Sequence, residues 1–202
     1  MFTGIVAALG RIVNIKVLGG ADSGVRVSID AGTLGLDDVA IGDSISVQGA
    51  CMTVLAMNGN AFDVEVSRES LSKTAGLDAP GEVNLEKALS LSTMLGGHLV
   101  SGHIDGLGRV VKFAAVGESH ELIVRAPRDL AKYLAYKGSI TVDGVSLTVN
   151  RVVDSEEGCE FSVNLIAHTV VATTLKRLVP GAQVNLEIDL IARYVERMLA
   201  RP

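Results

Sequence analysis

The histidines are the natural starting point for chemistry in this chain, and their spacing excludes as much as it suggests. His98 and His103 share the segment Gly96-Gly97-His98-Leu99-Val100-Ser101-Gly102-His103, but an odd separation puts two side chains on opposite faces of a strand. They do not form a metal pair. With His120 and His168 as the only other histidines, and no Cys-x-x-Cys or His-Glu-x-x-His, no metal site is expected. Gly106-x-Gly108 lacks a strand–turn–helix context and no Gly-x-x-x-x-Gly-Lys is present to cradle phosphate, so nucleotide-dependent chemistry has no support. What remains is a pair of segments in one frame, Gly49-Ala50-Cys51-Met52-Thr53-Val54 and Gly144-Val145-Ser146-Leu147-Thr148-Val149, with a thiol in one where the other has a hydroxyl.

Those segments belong to a repeat that runs through the chain. Gly4 to Val13 matches Gly102 to Val111, Phe62 aligns with Phe161, and Val83-Asn84-Leu85-Glu86 aligns with Val184-Asn185-Leu186-Glu187, always in the same order. Two copies of nearly a hundred residues describe a duplicated domain rather than a solenoid. The boundary is placed near Ser90 to Gly97, giving units 1–97 and 98–189 and a tail, 190–202. The duplication also shows where one scaffold received different side chains: His103 stands opposite Ile5, Ser146 opposite Cys51, Asp143 opposite Gln48, Lys137 opposite Gly42 and His168 opposite Glu69. Two quasi-equivalent pockets with unequal groups suit a reaction in which two similar molecules bind alike and play opposite parts. Neutral drift after duplication is the better account of any single swap taken alone.

The elements that must position these residues read as strands. Val25, Val27 and Ile29 alternate with polar neighbours, as do Phe62, Val64 and Val66, and Phe161, Val163 and Leu165, which is the period of half-buried strands. Short, glycine-punctuated strands of this kind predict an all-β fold of small antiparallel barrels. A helix is expected over Arg128 to Tyr136, after Pro127 and before Gly138. From Leu190 to Leu199, Leu190, Ile191, Tyr194, Val195, Met198 and Leu199 form one apolar helical stripe. That stripe packs either on its own barrel or against the same helix of neighbouring subunits.

Composition narrows the class of partner. Hydrophobic residues make up 48% of the chain and charged residues 20%, enough to bury a core. A net charge of -5 leaves no basic face for nucleic acid. The start, Met1-Phe2-Thr3-Gly4-Ile5-Val6, does not read as a signal peptide, and no apolar run is long enough for a bilayer. Cys51 and Cys159 are the only cysteines, which suits a reducing compartment. The expected location is the cytoplasm, with no membrane or nucleic-acid partner.

Met-Phe-Thr-Gly-Ile-Val at the start, Gly-Ala-Cys-Met-Thr-Val at 49–54, Gly-Gly-His-Leu-Val-Ser-Gly-His at 96–103 and Asp-Gly-Val-Ser-Leu-Thr-Val at 143–149 together resemble the riboflavin synthase family. The likeness runs through the whole chain. It implies two homologous six-stranded antiparallel Greek-key barrels plus a C-terminal α-helix that joins subunits into a homotrimer, with active sites between subunits. It also implies a dismutation of two 6,7-dimethyl-8-ribityllumazine molecules, in which one donates a four-carbon unit to the other, yielding riboflavin and 5-amino-6-(ribitylamino)pyrimidinedione. No cofactor is implied, because the acidic 7-methyl group of the substrate delocalises its own carbanion. Ala50 and Ala167 depart from the family pattern, which commonly has a second cysteine and a proline there.

Carried onto this chain, the resemblance assigns a first-half pocket to Gly4, Ile5, Val6, Cys51, Met52, Thr53, Glu65, Val66, Ser67, Arg68, Glu69 and Ser70. It assigns a second-half pocket to Gly102, His103, Ile104, Lys137, Ser146, Leu147, Thr148, Asn164, Leu165, Ile166, Ala167, His168 and Thr169. Within these, His103 is expected to transfer protons, Cys51 and Ser146 to act as weak donors beside the two rings, and Phe2 to cover a ring. Lumazine proteins share the resemblance but bind the ligand without turning it over; His103 favours the enzyme.

Overall fold

The computed structural model describes residues 1–20 and 23–200. The first half contributes β1 (Ala8–Val17), β2 (Val25–Asp30), β3 (Ser44–Val47), β4 (Ala50–Thr53), β5 (Ala56–Asn58), β6 (Ala61–Val66), α1 (Arg68–Lys73) and β7 (Gly81–Lys87). The second contributes β8 (Gly106–Val116), β9 (Ser119–Ala126), a 3-10 turn (Arg128–Tyr133), β10 (Ser139–Val142), β11 (Val145–Ser155) and β12 (Gly158–Ile166). It continues with α2 (Ala167–Ala172), a second 3-10 turn (Thr174–Arg177), β13 (Gln183–Ile188) and α3 (Leu190–Leu199). Residues 201–202 of the expected 190–202 tail lie outside the described residues.

All pairing is antiparallel, and the second half closes as a six-stranded barrel in the order β10-β11-β12-β9-β8-β13. The first half differs from the six strands expected. Its counterpart of β11 is interrupted at Val54 and Leu55, so β4 and β5 sit at opposite ends of a seven-stranded sheet, β4-β3-β7-β1-β2-β6-β5. Leu55 N–H donates to Asp63 O instead of continuing the β4 ladder. The alternating residues face inward as expected, with Val27, Ile29, Phe62, Val64, Phe161 and Val163 buried. Gly108 is an internal packing position: a Cβ there would stand 2.6 Å from Val124 Cγ1 and 2.8 Å from Leu186 Cδ1. The predicted helix over Arg128 to Tyr136 is a short 3-10 helix ending at Tyr133, because Leu134 leaves it in extended conformation and is buried in the barrel core.

The two halves meet at two tight hairpins. Gln48-Gly49 joins β3 to β4 with φ of 51° and 89°, and Asp143-Gly144 joins β10 to β11 with φ of 51° and 79°, the two-residue turn whose twist matches that of its strands. The turns touch backbone to backbone, since a Cβ on Gly49 would lie 2.6 Å from Gly144 N. Asn84 Nδ2 donates to Asp143 O and Asn185 Nδ2 donates to Gln48 O, both at 2.9 Å. A pseudo-twofold axis therefore runs between the hairpins, and duplicated residues play reciprocal parts across it.

Candidate functional site

The axis has a consequence for the segments that precede each barrel: they change sides. Phe2 and Val100 pair in a short antiparallel bridge. Beyond it, Gly4 O accepts from Ser146 N at 2.8 Å, while Gly102 O accepts from Cys51 N at 2.7 Å. Each crossing is pinned by a buried glutamate on the last strand of its own half. Glu86 accepts from Thr3 N, Thr3 Oγ1 and Gly4 N, and Glu187 accepts from Ser101 N, Ser101 Oγ and Gly102 N, at 2.6–3.0 Å. Burial raises the pKa of both carboxyls, and the three donors on each oppose that shift.

This exchange regroups the expected pockets. Gly102, His103 and Ile104 stand beside Cys51, whereas Gly4 to Val6 stand beside Ser146. The repeat showed which residues correspond but not that their lead-in segments cross the axis, so each trio was assigned to the wrong barrel. A cavity of about 220 Å³ follows, lined among others by Cys51, Glu69, Ser70, Lys73, Gly102 and His103. Glu69 and Lys73 form an ion pair of 2.6 Å across one turn of α1, which lowers the Glu69 pKa. Lys73 and Thr74 line this cavity and were not singled out in the sequence; their place on the helix carrying Glu69 and Ser70 was the available signal.

Both sites lie on the outer surface of their barrels. Met52 and Leu147 turn inward and are buried, so the alternate residues Cys51 and Thr53, and Ser146 and Thr148, face out. Lys137 adopts φ of 64° where Gly42 has 97°, and its Nζ reaches Asn150 Oδ1 at 3.2 Å. Ile166, Ala167 and His168 are exposed at the start of α2, with Thr169 half-buried, and Asn164 Oδ1 accepts from Ser119 Oγ. Val66 and Leu165 bury their side chains in the two cores and offer only backbone to a ligand. Glu65 is paired with Arg26 at 2.7 Å, Ser67 Oγ caps α1 by accepting from Ser70 N, and neither Ser67 nor Arg68 lines the cavity.

Phe2 does not cover a ring. Its side chain is 0% exposed, and a Cβ on Gly102 would meet Phe2 Cε2 at 2.9 Å, so the phenyl ring supports the Gly102 strand from behind. His98 and His103 diverge as their spacing implies: His103 is exposed beside Cys51, and His98 is buried with Nδ1 2.7 Å from Ser146 Oγ. The sequence pattern presents His98 only as a candidate metal ligand and gives no sign of its contact with Ser146. Among the described residues no group of three or more His, Cys, Asp or Glu could hold a metal ion.

Helix α3 is turned the opposite way from a helix packing on its own barrel. Its polar residues hold it down: Arg193 pairs with Asp105 at 2.6 Å and Glu196 with Lys132 at 2.6 Å. Its apolar stripe faces away, with Tyr194 63% and Met198 83% exposed. No helix among the described residues is long and apolar enough to cross a membrane.

A closed barrel and a pseudo-symmetric half-barrel sheet present matched outer faces, the arrangement of a tandem two-domain protein, and the lumazine binding domain family matches residues 3–88 and 101–189. Curated relatives narrow this further. The riboflavin synthases of Photobacterium phosphoreum, Mycobacterium tuberculosis and Schizosaccharomyces pombe are 45%, 41% and 38% identical over 98% of this chain and 89%, 98% and 94% of their own length. The chain belongs to the riboflavin synthase family. Among solved structures, that of LumP complexed with riboflavin superposes with a TM-score of 0.80 at 25% identity, covering 93% of this chain and 99% of that one.

Proposed function

We propose that the chain converts two molecules of 6,7-dimethyl-8-ribityllumazine into riboflavin and 5-amino-6-(ribitylamino)pyrimidinedione, one ligand at the Cys51 site and one at a Ser146 site. The observation that carries this reading is the reciprocal exchange of Gly4 and Gly102, which builds two matching backbone frames and gives them different side chains. Matching frames hold two copies of one heterocycle alike. Different side chains let one lose four carbons and the other gain them, with atoms and electrons balanced between the two molecules.

The protein's part is then orientation and proton transfer. Aligning two reactants is worth about 7 to 11 kcal/mol at best, and general acid–base help adds roughly a hundred- to ten-thousandfold in rate. His103, exposed beside Cys51, is the group positioned to move a proton there, while Ser146 and Thr148 offer hydroxyls on the other frame. A cavity of about 220 Å³ is smaller than the roughly 300 to 1,000 Å³ usual for a ligand of this class. A second subunit supplies the missing wall, brought there by the outward stripe of α3, and the working form is a homotrimer of a cytoplasmic enzyme.

The test is direct. Purified protein in buffer with a chelator is expected to turn dimethylribityllumazine into riboflavin, followed by absorbance. Tight binding of the lumazine with no riboflavin over hours would transfer the protein to the ligand-holding role of which LumP, solved with riboflavin bound, is the example.

A further inference from the structure

The two frames differ in one contact that the repeat does not duplicate. Ser146 Oγ lies 2.7 Å from His98 Nδ1, whereas Cys51, its counterpart, has no side-chain hydrogen bond among the described residues. We propose that His98 is a positioning residue for the second site: it donates from Nδ1 to Ser146 Oγ and so commits the serine proton outward, to an acceptor atom of the bound heterocycle. The inference rests on the proposed function for the identity of that ligand, and on geometry for which ring nitrogen carries the proton.

The geometry decides which nitrogen carries the proton. His98 is held from both ends, its backbone N–H donating to Thr3 O at 3.1 Å and its ring reaching Ser146. Nε2 is fully buried and has no hydrogen-bond partner among the described residues. A buried N–H without an acceptor is rarer than a buried acceptor without a donor, so the proton belongs on Nδ1. There it faces the only acceptor the ring touches among the described residues. Burial also pushes the His98 pKa below its usual value, with Asp189 opposing, which keeps the ring neutral near pH 7. A serine oxygen that already accepts from Nδ1–H has its own O–H left to give. Ser146 is half-buried on the outer face of β11, next to Gly4 and flanked by the exposed Ile5, so that O–H has a direction in which to point.

The consequence is a division of labour. The second site presents a fixed hydroxyl donor, suited to a ring carbonyl or imine nitrogen on which negative charge gathers when a methyl group of the heterocycle is deprotonated. The first site presents a thiol and the exposed His103.

Two measurements test this on the intact protein. Long-range proton–nitrogen correlation spectra of ring-labelled histidine are expected to show His98 as the neutral Nδ1–H tautomer at pH 7; a neutral Nε2–H tautomer or a charged ring would overturn the proposal, whatever the protein's activity. In kinetics, His98→Leu and Ser146→Ala are each expected to lower kcat about tenfold with KM little changed. The double variant should be no slower than either single one, because both remove the same donor. His98→Asn, whose amide N–H occupies nearly the place of Nδ1–H, should recover most of that loss. Additive losses, or an His98→Asn as slow as His98→Leu while still folded by circular dichroism, would sink the idea.

Discussion

Asp143 is a carboxyl in a place built for a neutral group, and Asp143→Asn measures what that costs. It sits in the β10–β11 turn at the pseudo-twofold axis, 4% exposed, with Oδ1 accepting from Asn185 N at 2.8 Å. Across the axis Gln48 fills the same role with a carboxamide, its Oε1 accepting from Asn84 N at 3.0 Å. Burial raises the Asp143 pKa to about 7, against the opposing hydrogen bonds from Asn185 and Gln48. The folded protein therefore binds this proton more tightly than the unfolded chain, whose carboxyl titrates near 3.8. The stability this group contributes is complete below about pH 4 and is lost as pH rises through about 7. About three pKa units correspond to at most about 4 kcal/mol. Asparagine keeps the oxygen that Asn185 needs and has no proton to lose. In urea unfolding followed by circular dichroism, the variant is expected to match the parent within about 1 kcal/mol at pH 4. At pH 8 it should exceed the parent by roughly 1 to 4 kcal/mol. Glu86 and Glu187, whose pKa values are also raised, titrate in both proteins and cancel from the comparison. A variant that is less stable than the parent at pH 8 would mean Asp143 is held ionised, and the reasoning from burial would be refuted.

Two further perturbations probe the architecture. A fragment of residues 1–97 lacks Val100 to Ile104 and so lacks the strand that completes its own Cys51 site; because Thr3 and Gly4 repeat the donor pattern of Ser101 and Gly102, two fragments are expected to exchange Phe2–Val6 and form a dimer. Riboflavin fluorescence should be quenched only at concentrations where sedimentation shows that dimer, and a monomer that binds ligand would contradict the crossing. Removing the residues after Asp189 deletes the outward stripe of α3 together with two ion pairs; if the proposed trimer is joined there, sedimentation is expected to show trimers for the full chain and monomers for the truncation, with turnover cut at least tenfold, and an intact trimer after truncation would count against the helix as the joint.

The duplication, the strand alternation and the C-terminal helix were legible because each is a property of local pattern. Phe161, Val163 and Leu165 bury in the barrel that their spacing demands, and Asp189 caps α3 by accepting from Ile191 N at 2.9 Å. What the pattern did not carry was anything that depends on which copy a segment touches. A repeat aligns Gly4 with Gly102 but is silent on whether each lies on its own barrel, since either arrangement satisfies the same hydrogen bonds. The expected pockets therefore grouped Gly4 with Cys51 and Gly102 with Ser146, where the structure sets Gly4 against Ser146 and Gly102 against Cys51. Phe2 was misread for a related reason: an aromatic near a ligand-facing glycine reads as a lid until the backbone shows that it lies behind. The stripe on α3 was readable as a stripe, whereas its outward direction needed Arg193–Asp105 and Lys132–Glu196.

The crossing of the lead-in segments also makes the two sites interdependent. A barrel that carried its own lead-in would leave each site free to move with its own domain. Here a shift of one barrel pulls the opposite site, because Ser146 N is bonded to Gly4 O and Thr3 is clamped by Glu86 on β7 of the first half, while Cys51 N is bonded to Gly102 O and Ser101 is clamped by Glu187 on β13 of the second. The hairpins at the axis, Gln48-Gly49 and Asp143-Gly144, set the distance between the frames, and their backbone contact leaves no room for a side chain at either glycine. Two ligands held on such frames can be displaced together by changes far from either one. In the proposed arrangement, where the Cys51 frame of one subunit faces the Ser146 frame of another, an error of about 1 Å in the mutual placement of the two ligands can cost on the order of a hundredfold in rate.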